Sequence, residues 1–275
     1  MVTPSRVGKT ILRYGALVIV LVITAAPLVW MIRVALLPPG ASTAISDLLT
    51  MNFAIEAFRS VISSESIGRA FFNSALVGLV VTVANVLFCF SVGYALARRN
   101  TLPVRLIFWS VVGVLMIPAY ITIIPLYVLM VESGLYDSYW ALTLPWLVSP
   151  IGIFLVKQYL ESIPTSMEEA ARVDGASDWR IMFTVVMPLC KPALSVLAIQ
   201  AFFTNWNSFL FPFILTSREE LRTLPVALAL LQGHQAIDWQ RLMAGSTIAV
   251  LPVLILFLFL QRHIVEGITA GAVKQ

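Results

Sequence analysis

The chain has 275 residues, of which 59% are hydrophobic and 12% charged, with a mean hydropathy of +0.92. A soluble globular domain carries about 25% charged residues, so this composition excludes a soluble enzyme, a nucleic-acid-binding domain and a disordered regulator. The net charge of +4 is a topology signal before it is a ligand signal, because membrane proteins keep their excess Lys and Arg in cytoplasmic loops.

A membrane-crossing helix needs about 20 mostly apolar residues. Six charge-free runs of 19 to 28 residues meet that need. They predict an all-α integral membrane protein, a single transmembrane domain with six spans at about 14–32, 70–97, 106–131, 138–156, 192–217 and 242–261. Arg6, Lys9 and Arg13 precede the first run as they would a signal peptide. Its length and the five runs after it mark it as a transmembrane helix. Pro38-Pro39-Gly40 opens a long connection between the first two spans. A seventh charge-free run, 223–237, contains Pro225, Gln232, Gly233, His234 and Gln235. It is too short and polar to span and reads as interfacial or re-entrant. With both termini in the cytoplasm, twelve of the eighteen Lys and Arg fall on the inner side, which favours that orientation.

No Asp, Glu, Lys, Arg or His lies within the six spans. Ion-coupled transporters place ionisable groups there as relays, so proton coupling is disfavoured. A secondary transporter or channel subunit for a small polar solute stays as the alternative. The phosphate-loop pattern is also missing: Gly8-Lys9 is the only Gly-Lys pair, and Thr3 stands where the first glycine belongs. ATP hydrolysis, if used, belongs to another polypeptide. Cys89 and Cys190 are far apart, and His234 and His263 lie outside the spans. No catalytic group and no metal set is expected.

The connection 157–191 carries the densest local signals. Pro164 suits a first helical position. Thr165 with Glu168, and Ser166 with Glu169, each fit a capping box. Gly175 sits where a left-handed helix end belongs, Ser177 can cap a second helix, and Pro188 ends it. Ala170 and Ala171 allow close approach of another surface. Glu168, Glu169, Arg172 and Asp174 flank them and can pair with charges on it. A solvated two-helix connection would read the same way.

Glu169-Ala170-Ala171, then Asp174-Gly175-Ala176, Phe183 and Pro188, resemble the EAA loop of ABC-importer permeases. With Pro188, Leu189 and Pro192 the loop is similar to that of the carbohydrate-uptake type, including the smaller maltose-type permease. Asn205-Trp206-Asn207-Ser208-Phe209-Leu210, Thr223-Leu224-Pro225-Val226 and the tail from Gly267 to Lys274 resemble further segments of those permeases. The resemblance runs from about Ala70 to the end. It implies a bacterial or archaeal inner-membrane permease working with a second permease, two ATPase subunits that bind ATP and Mg, and an extracytoplasmic sugar-binding protein. Lipid surrounds it, and no nucleic acid is involved. It further implies that Glu168, Glu169, Ala170, Ala171, Asp174, Gly175 and Ala176 form an ATPase-coupling helix, and that the tail reaches the ATPase interface.

On a regular helix Gln200, Thr204, Asn207 and Ser208 share one face about 100° wide, with Asn205 off it. Trp206 and Phe209 are available to stack on a sugar ring. Ser74, Gly78, Thr82 and Asn85 form a similar face in the second span. Each face is either part of a polar substrate pathway or a set of hydrogen bonds between helices.

Overall fold

The structure, a computed structural model, describes the backbone of residues 4–44, 52–231 and 237–272 and the side chains of 8–44, 52–231 and 237–259. His234 lies outside the described residues, as do the side chains of His263 and of the tail from Gly267. Among the described residues every regular element is helical. Four helices are long and apolar enough to cross a membrane, and six spans result if each of two sharply bent pairs counts as one.

The chain divides into two compact units. One holds residues 1–68 and 228–251, the other 69–227 and 252–275. In the first unit the helix Pro4–Ala35 carries no charge from Tyr14 to Ile32, and Leu17, Ile19, Leu21 and Ile23 are all more than half exposed, as a lipid-facing helix requires. In the same unit Gln240 donates through Nε2 to the carbonyl of Ala41 at 2.7 Å.

The second unit is organised along the 34-residue helix Glu65–Arg98. At 1.5 Å per residue it is about 51 Å long, well beyond the roughly 30 Å hydrocarbon layer. The helix is thus long enough to extend past the apolar zone, and its C-terminal end carries Tyr94 and Arg98. The core beside it is built from Cys89, Phe90, Val156, Leu160, Ile181, Val186, Cys190 and Leu197. Both cysteines are free and buried, and no metal-holding group of His, Cys, Asp and Glu occurs among the described residues. The helix Pro150–Glu161 approaches closely: a Cβ on Gly152 would lie 2.7 Å from Leu197 and 3.0 Å from the sulfur of Cys89.

Proline breaks two of the expected spans. The run 106–131 is not one helix: Leu102–Leu115 and Ala119–Glu132 meet at 96°. Pro118 has no N–H to donate, and its ring would collide with the carbonyl four residues back, Val114. The run 192–217 divides into Lys191–Trp206 and Leu210–Leu215. Pro212 acts on the carbonyl of Ser208 in the same way. A further bend of 81° separates Asp178–Leu189 from Lys191–Trp206, with Cys190 at the break and Pro192 in the first turn after it. The polar face of the second span is used between helices. Asn85 Nδ2 donates to the carbonyl of Trp146 at 2.7 Å, Ser149 Oγ donates to Asn85 Oδ1 at 2.8 Å, and the N–H of Leu224 donates to Ser74 Oγ at 2.8 Å.

Candidate functional site

The connection 157–191 folds as two helices around a corner. The first is Ser166–Val173. Gly175 has φ of +80°, a conformation open to glycine and strained for other residues. The N–H of Ala176 reaches back to Ala171 at 3.0 Å and that of Gly175 to Arg172 at 3.1 Å, the paired bonds that close a helix end. Ser177 then caps the next helix by accepting from the N–H of Arg180, and Arg172 pairs with Asp178 at 3.1 Å across the corner. Ile181–Val186 continue as a π-helical stretch. Glu169, Ala170, Asp174 and Gly175 are exposed, and Ala171 and Ala176 half-buried. Met167, Val173 and Trp179 add exposed apolar surface to the same corner.

Glu168 departs from the expectation twice. It makes no capping box, and Thr165 caps nothing with its side chain. Thr165 instead donates its hydroxyl to Glu169 Oε1 at 3.1 Å. Nor is Glu168 available to another protein, since it is 5% exposed. Tyr94 donates to Glu168 Oε2 at 2.8 Å and Arg98 Nε to Oε1 at 2.7 Å. The same guanidinium donates to the carbonyls of Leu160 and Ile163 at 3.0 and 3.2 Å. A buried carboxylate with a cation and a hydroxyl in reach gains more than a local cap offers. Two donated bonds thus tie the long helix to the start of the short one, and two more tie it to the end of Pro150–Glu161 and the turn after it. Neither Tyr94 nor Arg98 stood out in the sequence, because their partners lie some 70 residues away.

The second candidate region is the break between Trp206 and Leu210. An open groove of about 560 Å³ is lined there by Thr204, Asn205, Asn207 and Ser208, with Tyr120 and Trp146 among its aromatic walls. The helical-wheel reading is corrected in three places. Asn205 lines the groove beside Thr204, and since the helix ends at Trp206 the regular angle does not extend to Asn207 and Ser208. Trp206 is 2% exposed, stacked on Phe202 and set edge-on to Phe71, so it has no face for a sugar. Gln200, half-buried, lies outside the groove. Asn205 and Asn207 each donate to the carbonyl four residues back, Ala201 and Phe203, at 2.9 Å, which leaves both amide oxygens without a recorded partner among the described residues. Tyr120 and Trp146 were reachable from sequence only as aromatic residues near prolines.

The end of the second unit away from Arg98 is clamped. Asn73, fully buried, donates to the carbonyls of Glu220 and Arg222 at 2.7 and 2.9 Å and accepts from Tyr139 at 2.7 Å. Asp137 accepts from the N–H groups of Ser217 and Arg218 and from the Arg218 guanidinium. Burial pushes the Asp137 carboxyl up. The backbone donors of Ser217 and Arg218, then the two side chains, outweigh that and hold it below its ordinary 3.8.

The model of the binding-protein-dependent transport system inner membrane component matches residues 89–270. The chain belongs to this family. It is thus a multi-pass inner-membrane component of a transport system. It is 37% identical to the arabinooligosaccharides transport system permease protein of Bacillus subtilis over 204 residues, 74% of this chain and 73% of that one. It is 31% identical to the trehalose/maltose transport system permease protein of Thermococcus litoralis, over 98% of this chain and 99% of that one. Its fold matches a chain in the crystal structure of a bacterial ABC transporter involved in the import of the acidic polysaccharide alginate, with a TM-score of 0.83 at 23% identity, covering 96% and 99% of the two chains.

Proposed function

We propose that this inner-membrane component is the permease subunit of a binding-protein-dependent ABC importer that moves a sugar inward, with ATP and Mg handled by a separate ATPase pair. A second permease would complete the path, and an extracytoplasmic binding protein would deliver the sugar. The chain's likeness to arabinooligosaccharide and trehalose/maltose transport permeases supports the substrate class.

The observation that carries the reading is the groove at the helix break. Its polar lining is hydroxyl and amide, its walls are aromatic, and none of its residues is charged. Amide oxygens accept from sugar hydroxyls, and aromatic rings pack on sugar faces. An uncharged lining suits a neutral sugar better than an acidic one. The groove lies where proline interrupts the helix, so the Ser208 carbonyl, which Pro212 cannot serve with an N–H, is also open to a ligand.

The corner at Gly175 supports the coupling half of the reading. Glu169, Ala170, Asp174 and the exposed apolar Met167, Val173 and Trp179 would face the ATPase, with both termini of the chain on that side. Glu168 would serve as an internal anchor, so that a push on the short helix moves the long one.

The test is reconstitution of the purified complex in vesicles with ATP on the ATPase side and loaded binding protein on the other. Uptake of a neutral mono- or oligosaccharide that depends on both is the expected result. Transport of solute without ATP, driven by an ion gradient, would overturn the proposal in favour of a secondary transporter.

A further inference from the structure

A second cavity, of about 360 Å³, opens beside the last turn of the Glu65–Arg98 helix, between the first turn of Leu102–Leu115 and the end of Pro150–Glu161. Its polar lining is cationic: Arg98, Arg99, Arg105 and Lys157, with Asn100 and a single acid, Glu161. Two of these charges are already answered. Arg98 is held by Glu168 at 2.7 Å, and Lys157 by Glu161 at 2.6 Å, with the Lys157 ammonium also 4.2 Å over the Phe108 ring. Arg99 and Arg105 are exposed and make no ion pair or side-chain hydrogen bond among the described residues. A third positive element adds to them. The 14-residue helix Leu102–Leu115 begins at this cavity, and Thr101 at its N-terminus gives no side-chain cap, so first-turn N–H groups and the positive end of the helix dipole remain open.

The apolar side of the cavity decides what kind of anion fits. Val104 and Phe108 line it, and the adjoining helix surface exposes Leu102 at 67%, Leu106 at 59% and Trp109 at 63%. Leu102, Leu106 and Trp109 recur at i, i+4 and i+7, one apolar stripe that runs from the cavity along the helix. A free phosphate would use the cations and leave this surface bare. A lipid uses both.

We propose that this cavity binds the phosphate headgroup of an anionic membrane phospholipid, with Arg99 and Arg105 as its unneutralised cations and an acyl chain lying along Leu102, Leu106 and Trp109. Basic pockets at the membrane edge are suited to such headgroups, and each cation near an anionic surface strengthens attachment by about fivefold. The site lies against the guanidinium that anchors Glu168. A bound headgroup therefore sits one residue from the tie between the long helix and the Gly175 corner. The proposal does not depend on which solute is transported.

Native mass spectrometry of the full-length chain, purified in a mild detergent, tests it. The chain is offered equal phosphatidylglycerol and phosphatidylcholine, with and without millimolar inorganic phosphate. The expected result is retention of phosphatidylglycerol about 25-fold above phosphatidylcholine, the product of two fivefold contributions, unaffected by inorganic phosphate. In Arg99→Gln/Arg105→Gln the preference should fall to near unity. It should survive in Lys9→Gln/Arg13→Gln, which removes the same net charge elsewhere, and in Arg105→Lys. Should the doublet not purify, the two single variants should each lose part of the preference. Three results would overturn the proposal: no preference in the unmodified chain, the same preference in the Arg99/Arg105 variants, or displacement of the lipid by inorganic phosphate.

Discussion

Arg98 Nε donates to Glu168 Oε1 at 2.7 Å, joining the end of the Glu65–Arg98 helix to the start of the Ser166–Val173 helix. The two side chains are 13% and 7% exposed, so the pair is close to fully desolvated. A buried ion pair gives modest net stability, but removing one partner leaves a charge stranded and costs about 3–5 kcal/mol. Arg98→Met alone should therefore lower thermal stability sharply. Arg98→Met/Glu168→Leu should recover a large part of it. Unfolding of the four purified proteins in detergent gives the cycle, and additive losses would show that the pair is not coupled. The double variant should also lose ATPase stimulation by the loaded binding protein, because the short helix is then no longer tied to the long one.

Gly175 has open space around its missing Cβ, so substitution acts through the backbone alone. Gly175→Val forces a β-branched residue to φ of +80°, a strain of roughly 1–2 kcal/mol. Stimulated ATPase activity should fall in Gly175→Val and be largely kept in Gly175→Asn, since Asn tolerates this conformation. Sugar binding to the separate binding protein should be unchanged in both. Normal stimulation in Gly175→Val would reduce the corner to a linker.

The groove predicts a contrast among three neighbours. Asn205→Ala and Asn207→Ala should each lower sugar uptake while leaving yield and basal ATPase activity intact. Trp206→Ala should instead lower yield and stability by about 3–5 kcal/mol, as loss of a buried aromatic side chain does. Uptake in reconstituted vesicles and unfolding in detergent separate the two classes. Full uptake by both asparagine variants would move the sugar surface to the partner permease.

Asp137 carries a pH dependence of known sign. Its carboxyl is held below the ordinary 3.8, so its stabilising contribution is fully present above that value. It is lost as pH falls from about 3.8 through the lower folded-state value. The stability difference between the unmodified protein and Asp137→Asn should be constant above about pH 5 and shrink below pH 4. Thermal unfolding across that range measures it. A difference that grows on acidification would mean that the carboxyl is not ionised in the folded state.

Orientation is testable with one pair of cysteines. In a background with Cys89 and Cys190 replaced by serine, Ser42→Cys should react with an impermeant thiol reagent on intact cells, and Ser177→Cys only after lysis. Labelling of the Ser177 position from outside would put the Gly175 corner on the wrong side for an ATPase.

Some features are legible from neighbouring residues alone. The left-handed end at Gly175 and the cap at Ser177 are settled within five residues of chain, and the structure has both. Length and hydropathy locate the membrane segments because a hydrocarbon layer demands about 20 apolar residues whatever else the chain does. Pro118 and Pro212 carried an equally local signal. An unbroken apolar run conceals it, and both runs break where the proline rings forbid the helix to continue.

What only the tertiary structure decided has one common cause: a polar group in a dry place takes whichever partner the fold brings nearest. Thr165 and Ser166 offered Glu168 and Glu169 a capping box by spacing. Arg98 and Tyr94 offered Glu168 a cation and a hydroxyl from 70 or more residues away, and the desolvated pair outweighed the exposed cap. Asn205 lines the groove although the helical wheel sets it off the polar face, and Trp206 is withdrawn from any sugar because Phe71 from another helix and Phe202 cover the indole. Composition and spacing determine that this chain crosses a membrane and turns a glycine corner beside it. Which side chains face the groove, and which hold the corner, depends on contacts between segments that no local pattern encodes.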